Sequence, residues 1–179
     1  VSVFKSKKIS FFQLRLKNEK NSKIIKIGKK IGKITKKYKV KLIINDKPIL
    51  AKKIGGDGCH LGQSDSTVFK ARKILRNKII GVTCHNSKKL VEKAINEKVD
   101  YIALGAFYQS NTKNVKYKAS IKLLKLAKMM TDIPIVAIGG INLTNYKKLL
   151  LNKANFLAIS GYIWNNKKLN PIEAISKLK

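Results

Sequence analysis

A chain of 179 residues, 44% of them hydrophobic, can bury a sizeable core and is predicted to form a single domain over residues 1–179. No apolar run approaches the roughly 20 residues that a membrane-spanning helix needs, and no secretory signal opens the chain, so we expect a cytoplasmic protein without a membrane partner. The net charge of +31 makes nucleic acid a partner to consider. Lysine is spread through nearly every predicted helix without a nucleic-acid-binding motif, so general lysine enrichment explains the charge better.

The first predicted strand, Ile9 to Leu16, runs into Lys17 and alternates polar with apolar residues. Gln13, Arg15 and Lys17 therefore share one face of the strand. A solvated edge face would explain this alternation, and the donors of these side chains would equally suit a diphosphate. The next element is predicted to be an amphipathic helix with isoleucines at helical spacing, namely Ile24, Ile27, Ile31 and Ile34.

Two short strands, Lys41 to Ile44 and Gly58 to Leu61, are predicted on either side of a short helix. A strand-helix-strand unit favours a parallel pair, which places Asp46 and Asp65 at the same carboxyl edge of one sheet. Two acids at one edge suggest a divalent cation site. Each acid also has a simpler explanation, because Asp46 could cap the next helix and Asp65 or Ser66 could cap the one after it.

Two cysteines each precede a histidine, in Cys59-His60 and Cys84-His85. Adjacent residues on a strand point to opposite faces, so at most one residue of each pair could converge on a zinc ion. Reduced structural thiols are the better interpretation.

The second half of the chain continues the alternation of strands and helices. The predicted strands are Lys78 to Val82, Asp100 to Leu104, Ile135 to Ile138 and Phe156 to Ile159, and a closing helix spans Pro171 to Leu178. Seven strands alternating with helices indicate a parallel sheet, either open or closed.

Two loops of this half carry residues that suit an anion. The loop Ala106 to Ala119 contains Ser110, Thr112 and Lys113. Two hydroxyl groups and an ammonium group suit phosphate oxygens, but the same residues are also common in polar loops that bind no ligand. Glycines follow the last two strands, at Gly139-Gly140 and Ser160-Gly161. They allow either a close approach of backbone N–H groups to an anion or simply a tight turn. A closed (β/α)8 barrel often holds a phosphate at this position.

Seven motifs occur in order along the chain: QLRLK, IIND, DGCHLGQSD, GVTCH, SNTK, VAIGGI and AIS. Together they make the sequence similar to the thiamine-phosphate synthase family over nearly its whole length. The resemblance implies a TIM (β/α)8-type barrel and a transferase that joins a pyrimidine diphosphate to a carboxylated hydroxyethylthiazole phosphate. Thiamine phosphate, pyrophosphate and CO2 are the products, so the implied partners are small phosphorylated substrates. The pyrimidine would ionise before the thiazole nitrogen attacks, which requires no protein nucleophile.

The resemblance also implies the residues of the site. Mg2+ is the expected cofactor, held by Asp46 and Asp65. His85 lies beside the site in its motif, and a supporting role and structural packing are equally open for it. The residues implied for the pyrimidine diphosphate are Gln13, Leu14, Arg15, Leu16, Lys17, Asn45, Thr83 and Lys113. Those implied for the thiazole phosphate are Ser110, Asn111, Thr112, Gly140, Ile159 and Ser160.

The sequence departs from the family pattern in several places. Ser110 replaces a usual threonine, and the segments Val115 to Ala119 and Lys153 to Asn155 lack a usual proline or glycine. Family members begin with a strand and a helix ahead of QLRLK, where this chain has only Val1 to Ser10. We therefore expect that the first strand of the barrel is absent from this sequence.

Two other functions compete with the synthase. A thiazole tautomerase is an isomerase on the same fold, but that branch tends to lose the diphosphate and metal residues. A basic nucleic-acid-binding protein or a non-catalytic barrel is the alternative from another class. The residues that favour the synthase over the tautomerase are Arg15, Lys17, Asn45, Asp46, Asp65 and Lys113.

Overall fold

The computed structural model describes residues 1–109 and 117–178. The chain divides into two compact units, Val1–Gly81 and Val82–Lys179. Strands and helices alternate through both units, and the strand order within each follows the chain order. The single domain expected over residues 1–179 stays a prediction. Within the described residues, no helix is long and apolar enough to cross a membrane.

The first unit is built on parallel strands whose carboxyl ends form one edge. Strand β1 pairs with β2, and β2 pairs with β3, both in parallel. Its strands are β1 (Phe11–Leu14), β2 (Lys41–Asn45), β3 (Gly58–Leu61) and the start of β4 (Ile79–His85). Its helices are α1 (Ser2–Lys5), α2 (Asn21–Lys37), α3 (Pro48–Ile54) and α4 (Val68–Leu75).

Helix α2 packs through a small residue that the isoleucine pattern does not show. Ile24 is buried, whereas the other three isoleucines of the predicted stripe are only half-buried. Gly28 is buried instead, and a Cβ at this position would collide with the side chain of Ile54 on α3. The close approach of the two helices therefore depends on a glycine in the middle of α2.

Asp57 joins the amino ends of β2 and β3. Its carboxylate accepts a hydrogen bond from the backbone N–H of Leu42 at 2.8 Å, and its own N–H donates to the Leu42 carbonyl at 2.8 Å. The Nζ of Lys41 lies 3.4 Å from the other carboxylate oxygen. The sequence patterns gave no role to this aspartate.

The second unit repeats the architecture of the first. Strand β5 pairs with β6 and β6 with β7, again in parallel. Its strands are the end of β4 followed by β5 (Tyr101–Gly105), β6 (Ile135–Ile138) and β7 (Phe156–Ala158). Its helices are α5 (Lys88–Asn96), α6 (Ile121–Met130), α7 (Tyr146–Leu151), α8 (Gly161–Trp164) and α9 (Pro171–Lys177).

The strands predicted at Gly58 to Leu61 and Ile135 to Ile138 are confirmed, whereas others differ at their ends. Strand β1 ends at Leu14, so Arg15 and Lys17 lie beyond the strand. Strand β4 runs on to His85, and β7 stops at Ala158. Apolar alternation locates a strand, but its ends depend on where the neighbouring strand offers hydrogen-bonding partners.

We expect Asp57→Ala to lower the free energy of unfolding by about 1 to 3 kcal/mol, because the Leu42 N–H loses a charged acceptor. Asp57→Asn keeps an oxygen acceptor and should cost less. Lys41→Ala removes only an exposed ion pair and should cost at most about 1 kcal/mol. Urea denaturation of the three variants at neutral pH measures these differences. An equal loss in Lys41→Ala and Asp57→Ala would contradict the role of the backbone bond.

Candidate functional site

The carboxyl edge of the first unit brings several of the predicted site residues together. Gln13 lies opposite Ile43 in the register of β1 and β2, so it shares a face with Asn45, two residues further along β2. The Nε2 of Gln13 donates a hydrogen bond to Oδ1 of Asn45 at 2.6 Å. This bond fixes the orientation of the Asn45 amide.

Asp46 sits in a tight turn directly after β2. Its φ of 63° lies in the left-handed region, which aspartate tolerates better than most residues. Its N–H donates to the carbonyl of His60 at 2.8 Å, and the N–H of Lys47 donates to the carbonyl of Asn45 at 2.8 Å. The position of the Asp46 carboxyl is therefore set by backbone bonds on both sides.

The carboxyl groups of Asp46 and Asp65 are in contact. Burial, then a hydrogen bond to Asp65 and the negative charge of Asp65, raise the pKa of Asp46 from 3.8 to about 6, while the positive charges of Lys17 and Arg15 act in the opposite direction. Asp65 is held by the N–H of Gly62, which donates to its Oδ2 at 2.8 Å. The predicted meeting of the two acids is thus observed.

Neither acid caps a helix. The N-cap of α3 is Lys47, without a side-chain hydrogen bond, and Asp46 lies one residue before it. Helix α4 is capped by Thr67, whose side chain accepts from the N–H of Lys70 at 3.3 Å. The capping alternatives for Asp46, and for Asp65 or Ser66, are therefore wrong, because each helix starts later than its acid.

Two carboxylates in contact suit a divalent cation. Within residues 1–109 and 117–178, no group of three or more His, Cys, Asp and Glu side chains is placed to hold a metal. An ion at this edge would therefore have Asp46 and Asp65 as its carboxylate ligands. Mg2+ is commonly held by one or two carboxylates, with water and substrate phosphates as its other ligands. The residues present fit that ion.

A cavity of about 220 Å³ opens beside this edge. Its apolar wall includes Leu14 and Ile44, and both Arg15 and Lys17 line it together with Asp46. An apolar pocket with cations around it suits an aromatic ring that carries phosphate groups. The full lining comprises Leu14, Arg15, Leu16, Lys17, Asn18, Ile24, Ile44, Asn45, Asp46, Lys47 and Leu50.

His60 is a site neighbour that the sequence patterns did not identify. It lies opposite Asn45 in the register of β2 and β3, and it is 8% exposed. Burial lowers its pKa to about 4 against the opposing effect of Asp65, so the imidazole is neutral at pH 7. Strand alternation applied across β2 and β3 places it beside Asn45, whereas the Cys59-His60 pairing alone suggests only a zinc ligand.

Both cysteines are free and buried. Burial, followed by the charges of Asp46 and Asp65, raises the pKa of Cys59 to about 12. Burial also raises the pKa of Cys84 to about 12, and its thiol donates to the carbonyl of Leu90 at 3.4 Å. Both side chains are therefore protonated at neutral pH and are poor nucleophiles.

The residues predicted for the thiazole phosphate belong to the second unit. Ile138 and Ala158 are partners in the register of β6 and β7, so Gly140 and Ile159-Ser160 follow adjacent parallel strands at one edge. The φ angles of Gly139 and Gly140 are 94° and 64°. Ser110, Asn111, Thr112 and Lys113 lie outside the described residues.

The two glycines are required by close packing. A Cβ at Gly139 would collide with Ala106, and a Cβ at Gly140 would collide with the backbone of Tyr108 and Gln109. The loop after β6 therefore lies directly against the residues that follow β5.

The other two predicted residues of this unit lie in β4. Thr83 is half-buried near the end of the strand. His85 packs its ring against Tyr117, with 4.5 Å between the ring centroids. Packing is thus an observed role for His85, and direct contact of Thr83 with substrate stays a prediction.

Sequence comparison finds relatives along nearly the whole chain. The model of a family described as thiamine monophosphate synthase matches residues 2–163. A thiamine-phosphate synthase of Pelagibacter ubique (strain HTCC1062) is 69% identical over 177 residues, covering 99% of this chain and 86% of the relative. A thiamine-phosphate synthase of Rhodospirillum centenum (strain ATCC 51521 / SW) is 37% identical over 159 residues, covering 88% of this chain and 77% of the relative.

Structural comparison identifies the fold. The thiamine phosphate pyrophosphorylase from Pyrococcus furiosus matches with a TM-score of 0.88 at 24% identity, covering 99% of this chain and 85% of that structure. A 3-hexulose-6-phosphate synthase matches with a TM-score of 0.69 at 15% identity, covering 99% of this chain and 88% of that structure. The predicted α/β fold of the TIM-barrel type is confirmed.

The family predicted from seven short motifs is the one that the comparisons find. The match extends from residue 2 to residue 163 and therefore includes both carboxylates of the first unit and the glycine pair of the second. This chain belongs to the thiamine monophosphate synthase family.

Proposed function

We propose that this protein condenses 4-amino-2-methyl-5-(diphosphooxymethyl)pyrimidine with carboxylated hydroxyethylthiazole phosphate to form thiamine phosphate, pyrophosphate and CO2. The observation that carries the proposal is the contact between Asp46 and Asp65 at the edge where the cationic cavity opens. Family membership supports the same reaction. The proposed location is the cytoplasm, and neither the tautomerase nor a nucleic-acid-binding role is favoured by any of these observations.

The first unit would bind the pyrimidine diphosphate. Arg15 and Lys17 are exposed and line the cavity, so their charges are available to diphosphate oxygens. Asn45, oriented by Gln13, would add a directed amide group beside them. Three polar side chains that differ in length can contact several oxygens of one diphosphate, and this fixes the substrate in the cavity.

The two carboxylates would hold Mg2+ at this edge. The bound ion would neutralise charge that develops on the diphosphate oxygens. Asp46 and Asp65 repel each other when both are ionised, and a cation between them removes that repulsion. Cation binding would therefore also fix both acids in their ionised state.

The chemistry needs charge stabilisation more than a protein nucleophile. The bond between the pyrimidine methylene carbon and the diphosphate oxygen breaks, and its electron pair leaves with the diphosphate. The thiazole nitrogen then donates its electron pair to the methylene carbon. Loss of CO2 leaves the electron pair of the broken carbon–carbon bond on the product, and uptake of one proton from solvent completes the aromatic thiazolium. Arg15 and Lys17 would stabilise the leaving diphosphate. In the second unit, Gly140, Ile159 and Ser160 would bind the thiazole phosphate.

We expect Asp46→Asn to lower kcat/KM for thiamine phosphate formation by on the order of 100-fold, because one of two carboxylate ligands is lost. Asparagine also tolerates the left-handed backbone of this position, so the turn should persist. The measurement is thiamine phosphate formed from both precursors with Mg2+.

The matched control for this variant is Asp57→Asn. It makes the same chemical change at the amino end of the same strands and keeps an acceptor for the Leu42 N–H. Its activity should stay close to that of the wild type. Undiminished product from Asp46→Asn would exclude the metal assignment, and no product from the wild type would exclude the proposed reaction.

We expect the metal-free protein to lose stability relative to Asp46→Asn as the pH rises from 3.8 through about 6. The pKa of Asp46 is higher in the folded state, so the stabilisation from its proton is complete below pH 3.8 and is lost above pH 6. Thermal unfolding of the two proteins across this range measures the difference between them.

Added Mg2+ at neutral pH should raise the Tm of the wild type and leave that of Asp46→Asn nearly unchanged. A stability difference between the two proteins that does not change with pH would show that the pKa of Asp46 is not raised in the folded protein.

A further inference from the structure

We propose that Asn145, in the loop between β6 and α7, is a positioning residue that holds the backbone of Gly140 for phosphate binding. This inference rests on the proposed function, in which Gly140 contacts the thiazole phosphate. None of the sequence motifs assigns a role to Asn145.

The side chain of Asn145 bonds to the loop and does not cap its helix. Asn145 is the N-cap residue of α7, where an asparagine usually accepts a hydrogen bond from the second or third helical N–H. It makes no such bond. Its Nδ2 instead donates to the carbonyl of Gly140 at 3.1 Å, and its Oδ1 accepts from the N–H of Asn142 at 2.9 Å. Its amide thus joins two separate points of the loop.

The same residue connects this loop to the segment after β5. The backbone carbonyl of Asn145 accepts a hydrogen bond from the hydroxyl of Tyr108 at 3.3 Å. The N–H of Tyr108 donates to the carbonyl of Gly139 at 3.1 Å. Asn145 and Tyr108 therefore hold the glycine pair between them.

This support matters because glycine is the residue least able to hold its own conformation. Gly140 has a φ of 64°, one of several regions that a free glycine can visit. The bond from Asn145 fixes the peptide group that follows Gly140, and the contact with Tyr108 and Gln109 limits movement on the other side. The backbone of Gly140 is therefore already ordered before the substrate binds, so substrate binding does not have to reduce its conformational entropy.

Within residues 1–109 and 117–178, the arrangement leaves the backbone N–H of Gly140 for an anion. Among the residues that the structure describes, the N–H of Gly140 donates to no acceptor, whereas its carbonyl is bonded to Asn145. Backbone turns can bind phosphate through N–H groups that are left without acceptors. The peptide group that carries this N–H is held by Tyr108, whose N–H donates to the Gly139 carbonyl, and the next peptide group is held by Asn145 through the Gly140 carbonyl. Together the two bonds fix the backbone on both sides of Gly140 in the orientation that leaves this N–H for the substrate.

Asn145→Ser tests the inference while preserving the helix. Serine is as good an N-cap as asparagine, so α7 should start at the same residue, but serine is too short to reach Gly140 and Asn142 together. We expect the KM for the thiazole phosphate to rise about fivefold or more, because one orienting hydrogen bond is lost. The KM for the pyrimidine diphosphate and the Tm should stay close to the wild-type values.

Asn145→Asp is the second variant. It keeps an acceptor for the Asn142 N–H, loses the donor to Gly140 and adds a negative charge beside the Gly140 carbonyl. It should therefore raise the KM for the thiazole phosphate more than Asn145→Ser does. The matched control is Asn152→Ala, because Asn152 makes the same kind of bond from Nδ2 to the carbonyl of Lys148, at 2.7 Å, at the other end of α7. This control should change neither KM.

The outcomes separate the inference from the proposed function. A wild type that forms thiamine phosphate, with both Asn145 variants unchanged or equally impaired for both substrates, overturns the role of Asn145 and leaves the reaction intact. If the wild type forms no thiamine phosphate, calorimetric titration with the thiazole phosphate alone decides the inference. Weaker binding by Asn145→Ser then supports it, and equal binding or no binding by the wild type overturns it.

Discussion

Two carboxyl groups held in contact at the end of a parallel strand pair are the constraint on which the rest of the first unit depends. The contact exists because β2 and β3 are parallel and because the turn at Asp46 is bonded to the carbonyl of His60. Ionisation of Asp46 is unfavourable here, as its raised pKa shows, first because of burial and then because of the hydrogen bond and negative charge of Asp65. Burial of Leu42, Ile43 and Ile44 in β2 offsets this cost, so the strands carry a pair of acids that would not meet in a flexible chain.

The same strand pair carries an aspartate at its other end with the opposite role. Asp57 accepts from the backbone of Leu42 and lies near Lys41, so its charge is satisfied within the protein. Asp46 and Asp65 have only partial compensation, since burial and their mutual repulsion exceed the effect of Arg15 and Lys17. Identical side chains thus have different electrostatic surroundings at the two edges of the sheet.

Sequence patterns predicted the parts of this arrangement that depend on short stretches of chain. Apolar runs located β3 and β6, and the parallel connection brought Asp46 and Asp65 to one edge. The patterns did not predict that Asp46 and Asp65 would cap no helix. A residue can cap a helix only if the helix starts directly after it, and sequence patterns do not locate a helix start to within one residue. The place of His60 beside Asn45 is a property of two strands in register, which no single segment contains.

The glycine pair of the second unit shows why a motif and its function must be argued separately. Glycine is required at Gly139 and Gly140 because Ala106 and Tyr108 approach their backbone, and that contact comes from a distant part of the chain. The steric requirement exists whether or not a phosphate binds. Anion binding needs a further condition, a backbone orientation that is held in advance, and the hydrogen bonds of Asn145 supply it from outside the motif. A phosphate site of this kind therefore depends as much on the residues that fix the glycines as on the glycines themselves.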